Sequence, residues 1–213
     1  MLESAARLSG ADAPVYFGPK SQSKLPDARQ SQLAALAQEP EAAPPPSDSP
    51  AFVGGEHTVF EVESKTAVLK HTLPGFYGRT LDEVNLLDQR TFQNRPRLTL
   101  RGALPSEYLR RWAVLTDIFG LPTTYQGRTG TNTAEPQMAV AQPYIEQDDA
   151  DPPTANDVTA FMEAHGFSKV DPASVAIPEV ADVTWYRQRD GILITEPTRA
   201  TSARPQAPAS SCP

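Results

Sequence analysis

A glycine pair, a strand lysine and a helix glutamate follow one another along this chain in an order that could hold a nucleotide's phosphates. Gly54-Gly55-Glu56-His57 can form a turn whose backbone amides approach an anion, since glycine puts no Cβ in the way. In Ala67-Val68-Leu69-Lys70, small and β-branched residues lead to a lysine, the pattern in which an ammonium holds the α and β phosphates. Glu107 lies near the start of a helix and could swing toward that lysine to orient it. Gln142-Pro143-Tyr144-Ile145 reads as a strand whose backbone carbonyl and amide could bond adenine between apolar neighbours, and Asp148, Asp149 and Asp151 follow where a ribose contact could form. Each feature also has a plain alternative: a loose turn, an exposed strand lysine, a glutamate favoured by the helix dipole, a solvated acidic loop.

These residues need elements to position them. In residues 52–72, FVGGEHTVFEVESKTAVLKHT, the alternation of Phe60 and Val62 with acids, and then of Val68 and Lys70 with Ala67 and Leu69, predicts a β-hairpin turning at Ser64-Lys65. Residues 74–97 mix turn residues with a short helical pattern around Leu81 to Leu87, and are expected to be a loop with one or two helical turns. Tyr108, Trp112, Leu115 and Phe119 mark an amphipathic helix over 105–119, with Ser106 to cap its start and Gly120 to end it. Residues 121–126 and 137–146 read as two strands joined by a Gly-Thr-rich turn, Pro143 being tolerated at the second strand's end. Thr154-Ala-Asn-Asp157 has the form of a capping box for a helix over 155–165 that stops at Gly166, and 183–195 reads as a hairpin turning at Arg189-Asp190-Gly191. The whole is an α+β pattern rather than the strand–helix alternation of a parallel sheet.

Composition sets the limits. Of the 213 residues, 22 are proline, and they crowd both ends. The stretch Gln38 to Pro50 is a linker by composition, and residues 1–50 as a whole are expected to be disordered or linker, with one modest helical candidate from Asp27 to Gln38. The tail from Thr198 to Pro213 has no large apolar residue to give to a core, and residues 197–213 are expected to be disordered. A net charge of −7 with scattered Lys and Arg argues against a nucleic-acid surface. There is no apolar run near the ~18 residues that would span a bilayer and no signal-peptide pattern, so a cytoplasmic location without membrane partners is expected. Cys212 alone builds neither a disulfide nor a thiolate metal site, and His57, His71 and His165 lack zinc-ligand spacing.

The joint order of GGEHTVFEV, the lysine in AVLK, PSEYLRRWAVLTDIFG, the AQPYIE strand, the capped helix ending EAHGF, and TWYRQRDGILITE resembles the kinase domains of polyvalent proteins, large multidomain chains of phages and mobile elements. The resemblance covers about residues 52–196. It implies a protein-kinase-like small lobe, a twisted antiparallel sheet with one αC-type helix, followed by a hinge and the start of an incomplete large lobe. It also implies ATP with Mg²⁺ as cofactors and a protein or other hydroxyl substrate. Cofactor contacts would fall to Gly54, Gly55, Lys70, Glu107, Gln142 and Tyr144.

After the strand GILIT the family carries an acidic residue, a small one, then a proline and an asparagine, and later an aspartate for Mg²⁺. Glu196 stands at the first, catalytic-loop position, but Pro197-Thr-Arg-Ala-Thr-Ser202 follows, and neither the asparagine nor the metal aspartate appears. Without them, nothing holds the metal against the phosphates or orients a substrate hydroxyl, so this chain by itself is not expected to transfer phosphate. One lost base after the Glu196 codon would turn a family-like Glu-Ala-His-Pro-Arg-Asn-Phe into the observed run. That frameshift hypothesis fails if the adjacent frame of the gene has no open continuation into a metal-binding aspartate. Two rivals differ in class. One is a noncatalytic protein-interaction scaffold tethered by residues 1–50; the other is a chain without independent function that leaves Trp112, Phe119, Phe161 and Trp185 exposed.

Overall fold

The structure is a computed structural model that describes residues 1–9, 24–46, 50–62, 66–88, 93–144, 154–171 and 184–195. The chain is a mixed α+β protein built mainly on antiparallel strands. Its principal sheet has five strands in the order β1-β2-β3-β7-β6: β1 Phe52–Val53, β2 His57–Glu61, β3 Ala67–Thr72, β7 Gln137–Pro143 and β6 Thr124–Thr129. The expected hairpin is present as β2 and β3, with Val59 opposite Lys70 and Phe60 opposite Leu69. β7 then lies along the far side of β3, with Val140 opposite Lys70, which makes β3 the central strand. Where the ladder ends, side chains take over. The Met138 N–H donates to Thr72 Oγ1 at 3.0 Å, and the buried Tyr77 hydroxyl donates to the Pro136 carbonyl at 2.5 Å.

Helix α3, Pro105–Phe119, lies on one face of this sheet and shares a core with it: Tyr108, Leu109 and Trp112 from the helix meet Met138 and Val140 from β7 and Tyr77 from the preceding loop. The expected boundaries of this helix hold, but its cap differs. Leu104 is the N-cap, and its N–H donates to the Glu107 carboxylate at 2.8 Å; Ser106 is buried inside the first turn, where its N–H donates to Gln32 Oε1. The expected stripe serves two cores. Its Tyr108–Trp112–Leu115 part faces the sheet, while Phe119 packs with Met162, Phe167 and Trp185 of the C-terminal unit.

Two expectations give way here. Residues 79–88 and 93–102 form not a helical turn but a two-stranded ribbon, β4 Arg79–Asp88 and β5 Gln93–Gly102, in which Leu81 lies opposite Leu100 and Asp82 opposite Thr99. A helical spacing of leucines within one segment carries no information about a partner strand ten residues on, and pairing overrides it. Pro96 is tolerated because both strands of a two-stranded ribbon are edge strands.

The second concerns the N-terminus. Residues 1–50 are not the bare tether that their composition suggests: α1 Leu2–Ser9 and α2 Leu25–Leu36 bring Ala5, Leu8 and Leu36, all buried, into the core of α3. Beyond α2, residues 40–42 run beside β6, with the Ala42 N–H donating to the Arg128 carbonyl at 2.7 Å and the Arg128 N–H to the Pro40 carbonyl at 2.9 Å. That contact covers a sheet edge that would otherwise present unpaired backbone groups. It also requires Gly127, which sits at a register shift with φ 127°; a Cβ there would lie 2.5 Å from the Pro40 carbonyl oxygen.

The C-terminal unit follows the sequence closely. The Thr154 N–H donates to the Asp157 carboxylate at 2.8 Å and the Asp157 N–H to Thr154 Oγ1 at 3.3 Å, the capping box of α4 Ala155–Ala164. Strands β8 Ser168–Lys169, β9 Thr184–Arg187 and β10 Ile192–Thr195 form a small sheet in the order β10-β9-β8. In the hairpin turn, Arg187 pairs with Asp190 at 2.6 Å. No helix among the described residues is long and apolar enough to cross a membrane.

Candidate functional site

Lys70 occupies the middle of the central strand, and its side chain points to the face covered by α3. Its Nζ lies 5.1 Å from the centre of the Trp112 ring, and among the described residues it donates no hydrogen bond to an acceptor. Burial lowers its pKa from the ordinary value, Glu56 counters that effect and the nearby Arg111 adds to it. A half-buried ammonium over an indole ring is held there by attraction to the ring's electron-rich face.

Glycines 54 and 55 lie where the sequence places them, in the bend between β1 and β2, closed by the Gly54 N–H donating to the His57 carbonyl at 2.8 Å. Neither has a left-handed φ, and a Cβ on Gly55 would meet nothing within 4 Å. The residues that turn inward are the two that follow. The Glu56 carboxylate is hydrogen-bonded to the Arg111 guanidinium of α3, and His57 Nε2 lies 2.9 Å from the Tyr108 hydroxyl. Arg111 is stacked over the Tyr108 and Trp112 rings at 5.3 and 5.7 Å. Desolvation, reinforced by Arg111 and Lys70, pushes the His57 pKa down to about 3, so its imidazole is neutral at ordinary pH. Burial raises the Tyr108 pKa, so the hydroxyl is a permanent dipole rather than a charge.

Glu107 is not the partner of Lys70. Its two carboxylate oxygens take the Arg101 guanidinium at 2.6 and 2.8 Å, Arg101 also reaches Asp82 at 3.1 Å, and the same carboxylate caps the helix at Leu104. The bidentate pair pins the first turn of α3 to the β4–β5 ribbon, and Glu56, after the glycine pair, is the carboxylate whose charge raises the pKa of Lys70 while its own ion pair is with Arg111. The strand expected to face adenine is also partly engaged. The Tyr144 N–H donates to the Thr66 carbonyl at 3.0 Å, Gln142 lies opposite Val68 in the ladder, and the Gln142 side chain donates to Thr123 Oγ1 at 2.8 Å. The Tyr144 amide is therefore not a donor for a base. Ile145, Asp148, Asp149, Asp151 and Glu196, the Ser64-Lys65 turn and the tail with Cys212 lie outside the described residues.

Arg111, His57 and Trp112 are functional candidates that a reading by motif passes over. Arg111 stands four residues after Glu107, the spacing of a helix-surface ion pair, yet each has its partner elsewhere. Gly78 is the quieter signal. With φ 79° and a Cβ position that would collide with the Glu56 carboxylate and lie 2.8 Å from Arg111 Nη1, it leaves room for the pair. Among the described residues no three His, Cys, Asp or Glu side chains gather where a metal ion could be held. Compared with protein-family models, curated proteins and solved structures, the chain finds no match.

Proposed function

We propose that this chain carries a protein-kinase-like ATP-binding lobe, of the kind found in polyvalent proteins, that binds Mg²⁺-ATP without transferring phosphate. The observation that carries the reading is the convergence of Lys70 on the central strand and Arg111 on α3 on one indole ring, that of Trp112, with Arg111 bonded to Glu56 just after Gly54-Gly55. Two cations and a glycine turn suit a polyphosphate, and Mg²⁺ would come as part of the nucleotide complex, bridging phosphate oxygens. Absence of transfer is supported by Glu107, which is committed to Arg101, and by the run Pro197-Thr-Arg-Ala-Thr-Ser202, which has no asparagine where the resemblance calls for one. The reading assigns the chain to the cytoplasm.

Calorimetric titration of the full chain with Mg²⁺-ATP tests this, with Lys70→Met alongside. Saturable binding that the substitution abolishes is the expected result. A folded protein that takes up no nucleotide, or binding that Lys70→Met leaves unchanged, contradicts it. A folded protein that takes up no nucleotide favours a noncatalytic interaction scaffold on the same lobe, the reading to which the engagement of Glu107 and Tyr144 already lends weight.

A further inference from the structure

Glu56 and Arg111 are each about 31 % exposed, and their ion pair bridges the turn between β1 and β2 to the middle of α3. The pair is built in from several sides. Gly78 withholds the Cβ that would break it, and the rings of Tyr108 and Trp112 carry the guanidinium from beneath. The Glu56 carbonyl also accepts the Leu73 N–H at 3.2 Å, which anchors the residue's backbone to the chain that leaves β3. Glu56 is thus the carboxylate bonded to Arg111, and its charge also raises the pKa of Lys70, while His57 beside it is neutral.

We infer that the Glu56–Arg111 pair is an internal latch: in this closed form Glu56 takes the place that a phosphate would take against Arg111, and nucleotide binding requires its release. The inference rests on the nucleotide-binding reading above. One carboxylate cannot serve two cations and leave them open to an incoming anion, and an anion that bonds Arg111 must displace the one already there. When the Glu56 carboxylate swings away, the Arg111 guanidinium is open to an incoming phosphate, while the turn stays tied to α3 through His57 and Tyr108 and to β3 through the Glu56 carbonyl. The pair is partly exposed, so the free energy that holds it shut is that of a surface ion pair rather than a buried one.

The experiment compares the Mg²⁺-ATP affinity of the wild-type full chain with that of Glu56→Gln, Arg111→Gln and the double variant, each checked for folding by circular dichroism. Glu56→Gln is expected to bind tighter by a factor of about two to five, the range an exposed ion pair can supply. That gain should vanish when Arg111→Gln is added, because the released guanidinium is its source. Affinity unchanged or weakened in a folded Glu56→Gln, with the wild type still binding, overturns the latch and leaves the nucleotide reading in place. A gain that persists in the double variant also overturns it. No binding by either wild type or Glu56→Gln overturns the latch and the nucleotide reading together.

Discussion

His57 lies within reach of Lys70, Arg111 and Glu56, and its buried ring is hydrogen-bonded to the Tyr108 hydroxyl. In the folded chain it takes up a proton only near pH 3, whereas its ordinary pKa is 6.5. As the pH falls, the unfolded chain is therefore protonated at this position first, and stability that is complete above about pH 6.5 is lost progressively toward pH 3. Since one unit corresponds to about 1.4 kcal/mol, the loss is on the order of 5 kcal/mol. Replacing His57 with glutamine keeps a group that can bond Tyr108 and removes the titration. Urea unfolding of His57→Gln should therefore depend less steeply on pH than wild type over that window, and identical slopes would contradict the assignment.

Among the elements, residues 1–9 and 24–42 behave as structural parts of the domain. Leu36→Ala should lower unfolding stability by about 2–5 kcal/mol, the usual cost of emptying a buried leucine site. Gly127→Ala should cost about 1–3 kcal/mol, because it forces a left-handed φ on alanine and drives a methyl group into the strand of residues 40–42. Chemical denaturation measures both, and near-zero changes would return this segment to the status of a tether. The sequence shows why the tether looked plausible. Gln38-Glu-Pro-Glu-Ala-Ala-Pro-Pro-Pro has a disordered composition, yet only two backbone hydrogen bonds are needed to lay residues 40–42 along β6, and composition does not register so few. Elements whose signal is local were legible: the capping box at Thr154 and Asp157, the stripe from Tyr108 to Phe119, the turn at Asp190. The β4–β5 ribbon was not, because its stability lies in pairing between segments.

The same distinction governs the whole molecule. Lys70, the glycine turn and α3 could be named from their order along the chain, and the structure brings Lys70 and the turn to one face of α3. Which cation each carboxylate takes depends on the side-chain geometry at the start and in the middle of α3, where Arg101 holds Glu107 to the ribbon and Arg111 holds Glu56 of the turn to the helix. The helix joins two cores, one beneath the five-stranded sheet and one shared with α4 and β9 through Ile118 and Phe119. Trp112 and Trp185 are buried in these cores, Phe119 is half-buried, and Phe161 is 50 % exposed, so only the last of the four residues watched for exposure stands largely in solvent. The two tryptophans of the chain therefore report on the two cores separately. The most direct test of the central claim is the indole N–H region of a ¹⁵N spectrum of the full chain during Mg²⁺-ATP titration, with Trp185→Phe to assign the signals. If the nucleotide seats its phosphates on Lys70, the Trp112 signal shifts to saturation while that of Trp185 holds its position; a Trp112 signal that stays fixed throughout the titration would contradict the account.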